Sequence, residues 1–521
     1  MSDASPEAEA AIHGSKLRGP LGIALAALAG VLLRGSSLLS AEYAIDDAWI
    51  SFRVARNWVE GRGLVFDPSL PPTEGMTNLL WTLLSATWIA LVPDLEPLLV
   101  ARLVGWAALG GAVVLLVVLS ARLSRCASVG AAVTGALLVA NGGLVYHALS
   151  GLETGLWALL FAIALLLALG VDQPSSARCV ATGAALALLA ATRPEGVLAG
   201  AVFCAAWWLH DRRAAIIAGT VFAAGVAALE SFRWVTYGAL VPNTFHAKPP
   251  GLRLGLEYLG SFLLGGLAGG TAIALAVLAW RRHPRLRPAL VTAVVLAAGA
   301  TWSGGDWMVG FRRFTLAFLV AALAAGVTLG NWPLERRRAA RALWLVVGAW
   351  LVCLTAASIQ GRDRSRIRHG FYSELALAAA QEEEVRTVAL LDVGEFGWYF
   401  PRSILDIAGL TDPHIARLEG QRHDKRFDAR YLEARRPELI LVRADRPFIG
   451  SILDGARMRE PDAEYARWAL DHDAWVYHTS HRYDVGKWLW LFRHRSVELD
   501  PETWGTHAVQ SQPPVSDASP D

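Results

Sequence analysis

The sequence predicts a polytopic α-helical membrane protein that ends in a water-exposed α/β domain, and three observations predict it. Of its 521 residues, 54% are hydrophobic and only 18% charged, with a positive mean hydropathy, which is membrane composition. Apolar runs near the ~20 residues that cross ~30 Å of hydrocarbon recur from residue 21 to residue 358 and then stop. Beyond them, short strand-like runs alternate with helical stretches. The 48 basic and 46 acidic residues leave a formal charge of +2, so no global field attracts nucleic acid, and that partner class is excluded.

The expected spans are 21–39, 98–120, 127–146, 154–170, 178–192, 195–209, 214–230, 256–280, 289–303, 313–330 and 342–358, about eleven in all. Most are rich in Ala, Leu, Gly and Val, and small residues let such helices pack closely. Lys16 and Arg18 precede the first span, which lacks a clear small-residue cleavage pattern and reads as uncleaved. Leu79 to Val92 is apolar but short, the pattern of a re-entrant or interfacial helix. Between Arg178 and Leu209, Pro194 favours two short spans over one broken helix, which would place Arg178 and Arg212 on opposite sides.

Orientation follows from the Arg clusters. Lys16/Arg18, Arg122/Arg125, Arg178, Arg212/Arg213, Arg281 to Arg287 and Arg336 to Arg341 belong in the cytoplasm under the positive-inside rule. The loops facing outward then carry Asp46-Asp47, Glu153, Arg193-Pro194-Glu195, Asn243 to Lys248 and Asp306 to Arg313. This divides the chain into a cytoplasmic tail (1–20), a transmembrane domain (21–358) with a first outer loop at 40–97, an extracytoplasmic α/β domain (359–504) and a disordered tail (505–521). In the α/β domain, strands are expected at Val388 to Leu391, Ile404 to Ile407, Leu439 to Val442, Trp475 to His478 and Trp488 to Phe492. Helices are expected around Glu374 to Glu384 and Pro461 to Leu470. Cys126, Cys179, Cys204 and Cys353 lie in or beside apolar segments with no metal-ligand spacing, and read as small buried apolar residues.

The densest chemical signal is the adjacent pair Asp46-Asp47, followed by Arg53, Arg56, Gly61-Arg62-Gly63, Asp67 and Glu74. Spacing alone also fits salt bridges on a short interfacial helix for Asp46, Arg53 and Arg56. Two adjacent carboxylates repel each other, however, and at a membrane surface they call for a cation, a sugar hydroxyl network or a basic partner. Either could accept a proton from an acceptor hydroxyl as general base. With hydroxyl and amide oxygens nearby they would also suit Mg²⁺, Mn²⁺ or Ca²⁺; if a metal is used, Asp46 and Asp47 are its candidate ligands. Glu153 opens a span as a helix cap or a site residue. Arg193-Pro194-Glu195 places opposite charges at irregular backbone, a structural pair or a cavity lining. Asn243, His246 and Lys248 supply an amide, an imidazole and a cation. Asp306, Arg312 and Arg313 supply a carboxylate and two guanidiniums suited either to a phosphate diester or to interfacial anchoring. No P-loop, zinc motif, nucleophile elbow or dinucleotide fingerprint is visible.

The order of these motifs resembles the GT-C superfamily of glycosyltransferases, and within it the terminal arabinofuranosyltransferases that cap cell-envelope arabinan. The resemblance runs through Asp46-Asp47, Arg53 to Asn57, Gly61-Arg62-Gly63, Val65-Phe66, Glu74 to Thr77, Ser150 to Glu153, Arg193 to Glu195, Pro242 to Lys248 and Gly304 to Gly310. In the outer domain it continues through Ile407 to Pro413 and His423-Asp424-Lys425. Where related loops have Thr-Ser, this chain has Thr77-Asn78. The resemblance implies a GT-C fold in a bacterial plasma membrane and a sugar moved from a polyprenyl phosphate to an extracytoplasmic glycan or lipid-linked acceptor. It carries the essential acidic role to Asp46 and Asp47. Arg53, Arg56, Glu74, Glu153, Glu195, Asn243, His246, Asp306 and His423 are then expected at the substrate, with Lys248, Arg193 and Arg312 on the lipid phosphate. The competing reading is a transporter or flippase of polyprenyl-linked sugars. It would show repeats and broken helices in corresponding halves, and no repeat is seen.

Overall fold

The computed structural model describes residues 6–39, 45–264, 276–306, 308, 310–332, 371–420, 425–445, 462–484, 487–499 and 504. The expected span 342–358, the middle of 256–280, Cys353 and His423 lie outside them. The chain divides into two compact units. One takes residues 1–41, 77–240 and 250–365, and the other takes 42–76, 241–249 and 366–521.

The first unit is helical. Its described helices are α1 (Pro6–Leu39), α3 (Leu79–Leu91), α4 (Pro97–Leu123), α5 (Ala127–Ala140), α6 (Gly142–Ala148), α7 (Thr154–Leu169), α8 (Ser176–Thr192), α9 (Glu195–Trp208), α10 (Arg212–Tyr237), α12 (Leu252–Leu264), α13 (Arg287–Trp302) and α14 (Thr315–Gly330). Local chemistry sets several ends. Pro97 opens α4 where no N–H partner is needed. Asp211 caps α10 by accepting the Ala214 N–H at 2.9 Å, and Gly238 ends it in the left-handed region at φ 64°. Arg193 is extended ahead of Pro194, as the residue before a proline prefers, so α8 and α9 are separate helices.

Among the described residues, four helices are long and apolar enough to cross a membrane: Gly19–Ser36, Pro97–Leu123, Arg212–Tyr237 and Arg312–Gly330. A fifth arises if α5 and α6, bent by 63°, form one broken span. Helices α7, α8 and α9, of 16, 17 and 14 residues, are ~21–26 Å long at ~1.5 Å per residue, less than the ~30 Å hydrocarbon core.

Small residues bring these helices into backbone contact. A methyl added at Gly155 on α7 would strike the Gly105 carbonyl of α4, and one added at Gly105 would strike the Ala148 carbonyl. Around this crossing, Leu109, Ala112, Val113, Leu116, Ala158, Phe161 and Leu165 are fully or almost fully buried.

The second unit is built on a sheet in the order β2-β1-β3-β5-β4, with β1 (Thr387–Leu390), β2 (Ser403–Asp406), β3 (Leu439–Ala444), β4 (Trp475–Asp484) and β5 (Lys487–His494). β1 is parallel to both β2 and β3, while β5 runs antiparallel to β3 and β4. β1 is buried along its whole length, as a central parallel strand should be. Helices α15 (Phe371–Gln381), α16 (Val393–Tyr399), α17 (Ala429–Arg435) and α18 (Asp462–Asp471) complete the α/β part. Each strand overlaps its expected run. The same unit includes α2 (Asp46–Val59) and the short α11 (Asn243–Ala247).

Gly155→Ala should lower the thermal midpoint in detergent, because overpacking costs about 1–3 kcal/mol. Gly22→Ala, with no atom within 4 Å of the added methyl, should leave the midpoint unchanged. Equal midpoints for the two variants would contradict the close α4–α7 crossing.

Candidate functional site

In the second unit, α2 begins at the acidic pair, and two carboxylates in a first turn complement the positive helix N-terminus. Asp46 turns its side chain to another helix: Oδ2 accepts the Gly394 N–H and Oδ1 the Glu395 N–H, both at 2.8 Å. These are N–H groups of the first turn of α16, which have no partner within that helix. Burial, with Asp392 and Asp47 adding, pushes the Asp46 carboxyl well above the usual carboxylate range, against the pull of the two N–H donors. Asp47 lies in the same first turn of α2, partly exposed.

One turn-pair further along α2, Arg53 grips the other end of α16. Its Nη1 donates to the Gly397 and Phe400 carbonyls at 2.8 and 3.1 Å, its Nη2 to Arg402 at 2.7 Å, and its Nε to Phe66 at 2.8 Å. Expected at the substrate, Arg53 instead holds main chain together in a buried position. The reason is physical: a buried guanidinium needs acceptors, and four carbonyls supply them. Arg56 donates to the Trp398 carbonyl at 2.8 Å and lies 4.3 Å from the centre of the Trp398 ring.

The other expected residues of this unit divide the same way. Asn243 Nδ2 donates to the carbonyls of Gly409, Leu410 and Asp412 at 2.9, 3.1 and 3.3 Å, so its amide nitrogen is a main-chain anchor, while its Oδ1 is buried without a donor among the described residues. Glu74 is buried, and its carbonyl accepts the Asn243 N–H at 3.1 Å. His246 is partly exposed; burial, with Arg417 and Lys425 adding, holds its imidazole below the usual value. Lys248 is exposed at the end of α11. Lys425, which ends the run His423-Asp424-Lys425, is buried, with Nζ on the carbonyls of Ala416 and Leu418 at 2.8 and 3.0 Å.

The first unit holds a separate cluster. Glu153, buried where α7 starts, accepts from Asn78 Nδ2 at 2.9 Å and pairs with Arg193 Nη1. Arg193 also donates to Glu195, through Nη2 at 3.0 Å and Nε at 3.3 Å. Glu195 in turn takes Arg313 Nη2 at 3.2 Å, and Arg312 Nε meets Asp306 Oδ2 at 3.0 Å. Glu153, Arg193, Glu195, Asp306, Arg312 and Arg313 are thus gathered from three sequence regions, three acids against three bases.

Within that cluster Arg193 is closed: each of its three nitrogens has a carboxylate partner. Arg312 is not, since among the described residues only its Nε has an acceptor. Arg313 directs Nη1 to the Gly305 carbonyl at 3.0 Å, while its Nε is buried without an acceptor. Sequence reasoning treated Asn78 only as a departure from related loops; its amide is the Glu153 donor. The available signal was its position just before the apolar run of α3.

The described residues contain no group of three or more His, Cys, Asp or Glu side chains placed to hold a metal. Both oxygens of Asp46 already receive backbone N–H groups. The donor set for a divalent cation at Asp46-Asp47 is therefore incomplete among these residues, and no chemistry is routed through one.

Comparison with known proteins places this architecture. A domain of unknown function (DUF8728) matches residues 358–492, and no curated protein matches the sequence. Among solved structures, ArnT from Cupriavidus metallidurans bound to undecaprenyl phosphate aligns with a TM-score of 0.56 at 15% identity, covering 90% of this chain and 97% of that one. Its apo form gives a TM-score of 0.57 at 13% identity, covering 90% and 98%. The Archaeoglobus fulgidus oligosaccharyltransferase in complex with Zn and sulfate gives 0.55 at 10% identity, covering 80% of this chain and 67% of that one. The chain shares the fold of these solved structures, a helical unit with a C-terminal sheet domain.

Arg53→Ala should cost about 3 kcal/mol or more, since a buried polar network loses its centre, and limited proteolysis of the 371–499 region should accelerate. In the first unit, Glu153→Gln and Arg193→Gln should each destabilise strongly. The double variant should lose about 1–3 kcal/mol less than their sum, because each single change strands a buried charge. Additive thermal shifts would show that the two side chains are not coupled.

Proposed function

We propose that this protein is a glycosyltransferase that moves a sugar from a polyprenyl phosphate to an extracytoplasmic acceptor, in a bacterial plasma membrane with the acidic pair and the sheet domain facing outward. The sequence motifs favour arabinofuranose as the sugar and a cell-envelope glycan as the acceptor. Arg312 carries the reading. In a balanced cluster of buried charges, its terminal amino groups have no acceptor among the described residues, which suits them to a phosphate. The fold is shared with an enzyme solved with undecaprenyl phosphate bound.

The roles follow from the chemistry. An acceptor hydroxyl gives its proton to a carboxylate as its oxygen bonds to the anomeric carbon. The anomeric carbon–oxygen bond to phosphate breaks, and the polyprenyl phosphate leaves with the electron pair, its charge rising from one to two. Asp47 is assigned the base, since both Asp46 oxygens are engaged by α16 and Asp46 positions its neighbour. Arg312 stabilises the developing phosphate charge, with Lys248 as a second cation. Arg193 orders the charge cluster without contacting the donor.

The test is a reconstituted protein given a panel of labelled polyprenyl phosphate sugars, with and without chelator. Release of polyprenyl phosphate with labelling of the acceptor is expected, and turnover should survive chelation. Asp47→Asn should cut turnover by roughly 10²–10⁴ and Arg312→Gln by about a hundredfold, with membrane insertion intact. Bilayer translocation without bond cleavage would replace this reading with the flippase, and full turnover by Asp47→Asn would overturn the base assignment.

A further inference from the structure

Away from the acidic pair, the second unit contains a cavity of about 260 Å³ whose lining includes Arg53, Arg56, Arg62, Arg402, Asp67 and Ser69. Four guanidiniums and one carboxylate make it strongly basic. The carboxylate, Asp67, is held ionised by the Ser69 and Ser403 hydroxyls, each at 2.7 Å, and by the Ile404 N–H at 3.1 Å, and it offsets one of the four positive charges.

Two of the guanidiniums have structural duties. Arg53 is enclosed by four carbonyls. Arg402 donates to carbonyls at and just beyond the end of α15, those of Ala380, Glu382 and Val385 among them. The other two are not tied to the main chain in this way. Among the described residues, Arg56 has one hydrogen bond, to the Trp398 carbonyl, and its Nε is buried without an acceptor. Its stacking on Trp398 holds the planar fork in one orientation, the preorganisation that bidentate oxyanion binding needs. Arg62 stands at the rim, 42% exposed and paired with the exposed Glu60. Burial, with Arg62 adding, pulls Arg56 below its usual value, and Arg53 falls to about 9. In both, burial outweighs the effect of the neighbouring positive charges.

Position decides what such a cavity is for. Arg56 is nine residues after Asp47 on one helix, ~14 Å along its axis. That is too far for contact with the reacting atoms and suits a more distant part of an extended acceptor. We propose that this cavity binds an anionic substituent, a phosphate ester or a carboxylate, on the acceptor glycan, gripped by Arg56 with Arg62 at the rim. The transferase reading enters only in calling that glycan the acceptor.

The experiment titrates full-length protein in uncharged detergent with glucose phosphate, glucuronate, glucose and glycerol phosphate, followed by calorimetry. Glucose phosphate and glucuronate should bind saturably and at least tenfold more tightly than glucose. Arg56→Gln should weaken them by about tenfold or more. Arg62→Gln, at an exposed rim where folding is not at stake, should weaken them by a smaller factor. Asp47→Asn should bind them as the wild type does. Wild-type affinity in both Arg variants, or glucose binding as tightly as glucose phosphate, overturns the site even if sugar transfer is observed. Failure of sugar transfer with Arg56-dependent binding intact overturns the transferase reading and leaves an anionic-sugar site. Glycerol phosphate binding as tightly as glucose phosphate overturns the glycan source in favour of a lipid headgroup.

Discussion

A buried charge must be neutralised by another, and the helical unit depends on this at one place. Glu153, Arg193, Glu195, Asp306, Arg312 and Arg313 come from the start of α7, the break between α8 and α9, and the turn before α14, and they balance one another. Removing one partner would leave a charge that low-dielectric surroundings do not tolerate. The network therefore fixes the relation of those three regions more strictly than apolar packing could, since Leu and Ala surfaces can slide on one another. Among the described residues, the terminal nitrogens of Arg312 and the Nε of Arg313 are the cluster's guanidinium nitrogens without an acceptor.

The second unit uses charge differently, along the dipole of a short helix. Asp46 meets the N–H groups where α16 begins, and Arg53 meets carbonyls where it ends. A helix has positive character at its start and negative at its end, so one stretch of α2 presents the matching sign at both. Seven residues separate Asp46 from Arg53, ~10 Å along α2, which is also the length of seven-residue α16. An acidic residue that reads as catalytic in sequence is therefore also the device that docks α2 against α16. Its neighbour Asp47 lies partly exposed in the same turn.

Much of the architecture was legible. The five described strands of the sheet domain overlap their expected runs because β-branched and aromatic residues cluster there. Pro194 separated α8 from α9 as its missing N–H requires. The expected eleven spans met a firmer constraint: among the described residues four or five helices reach membrane-spanning length. Apolarity reports burial, whether in lipid or in protein, and α7, α8 and α9 are apolar yet short.

By itself, the sequence determined which residues carry the charge in an apolar chain, and that these lie in loops and at helix ends. It also determined the class of fold, since periodicity and composition are local properties. Only the tertiary structure decided what each charge does. Arg53, Asn243 and Arg193 look like ligand contacts in the sequence because a side chain committed to distant carbonyls or carboxylates is identical, as a letter, to one facing solvent. Arg56 and Arg312 have nitrogens without acceptors among the described residues, a property that spacing along the chain does not encode.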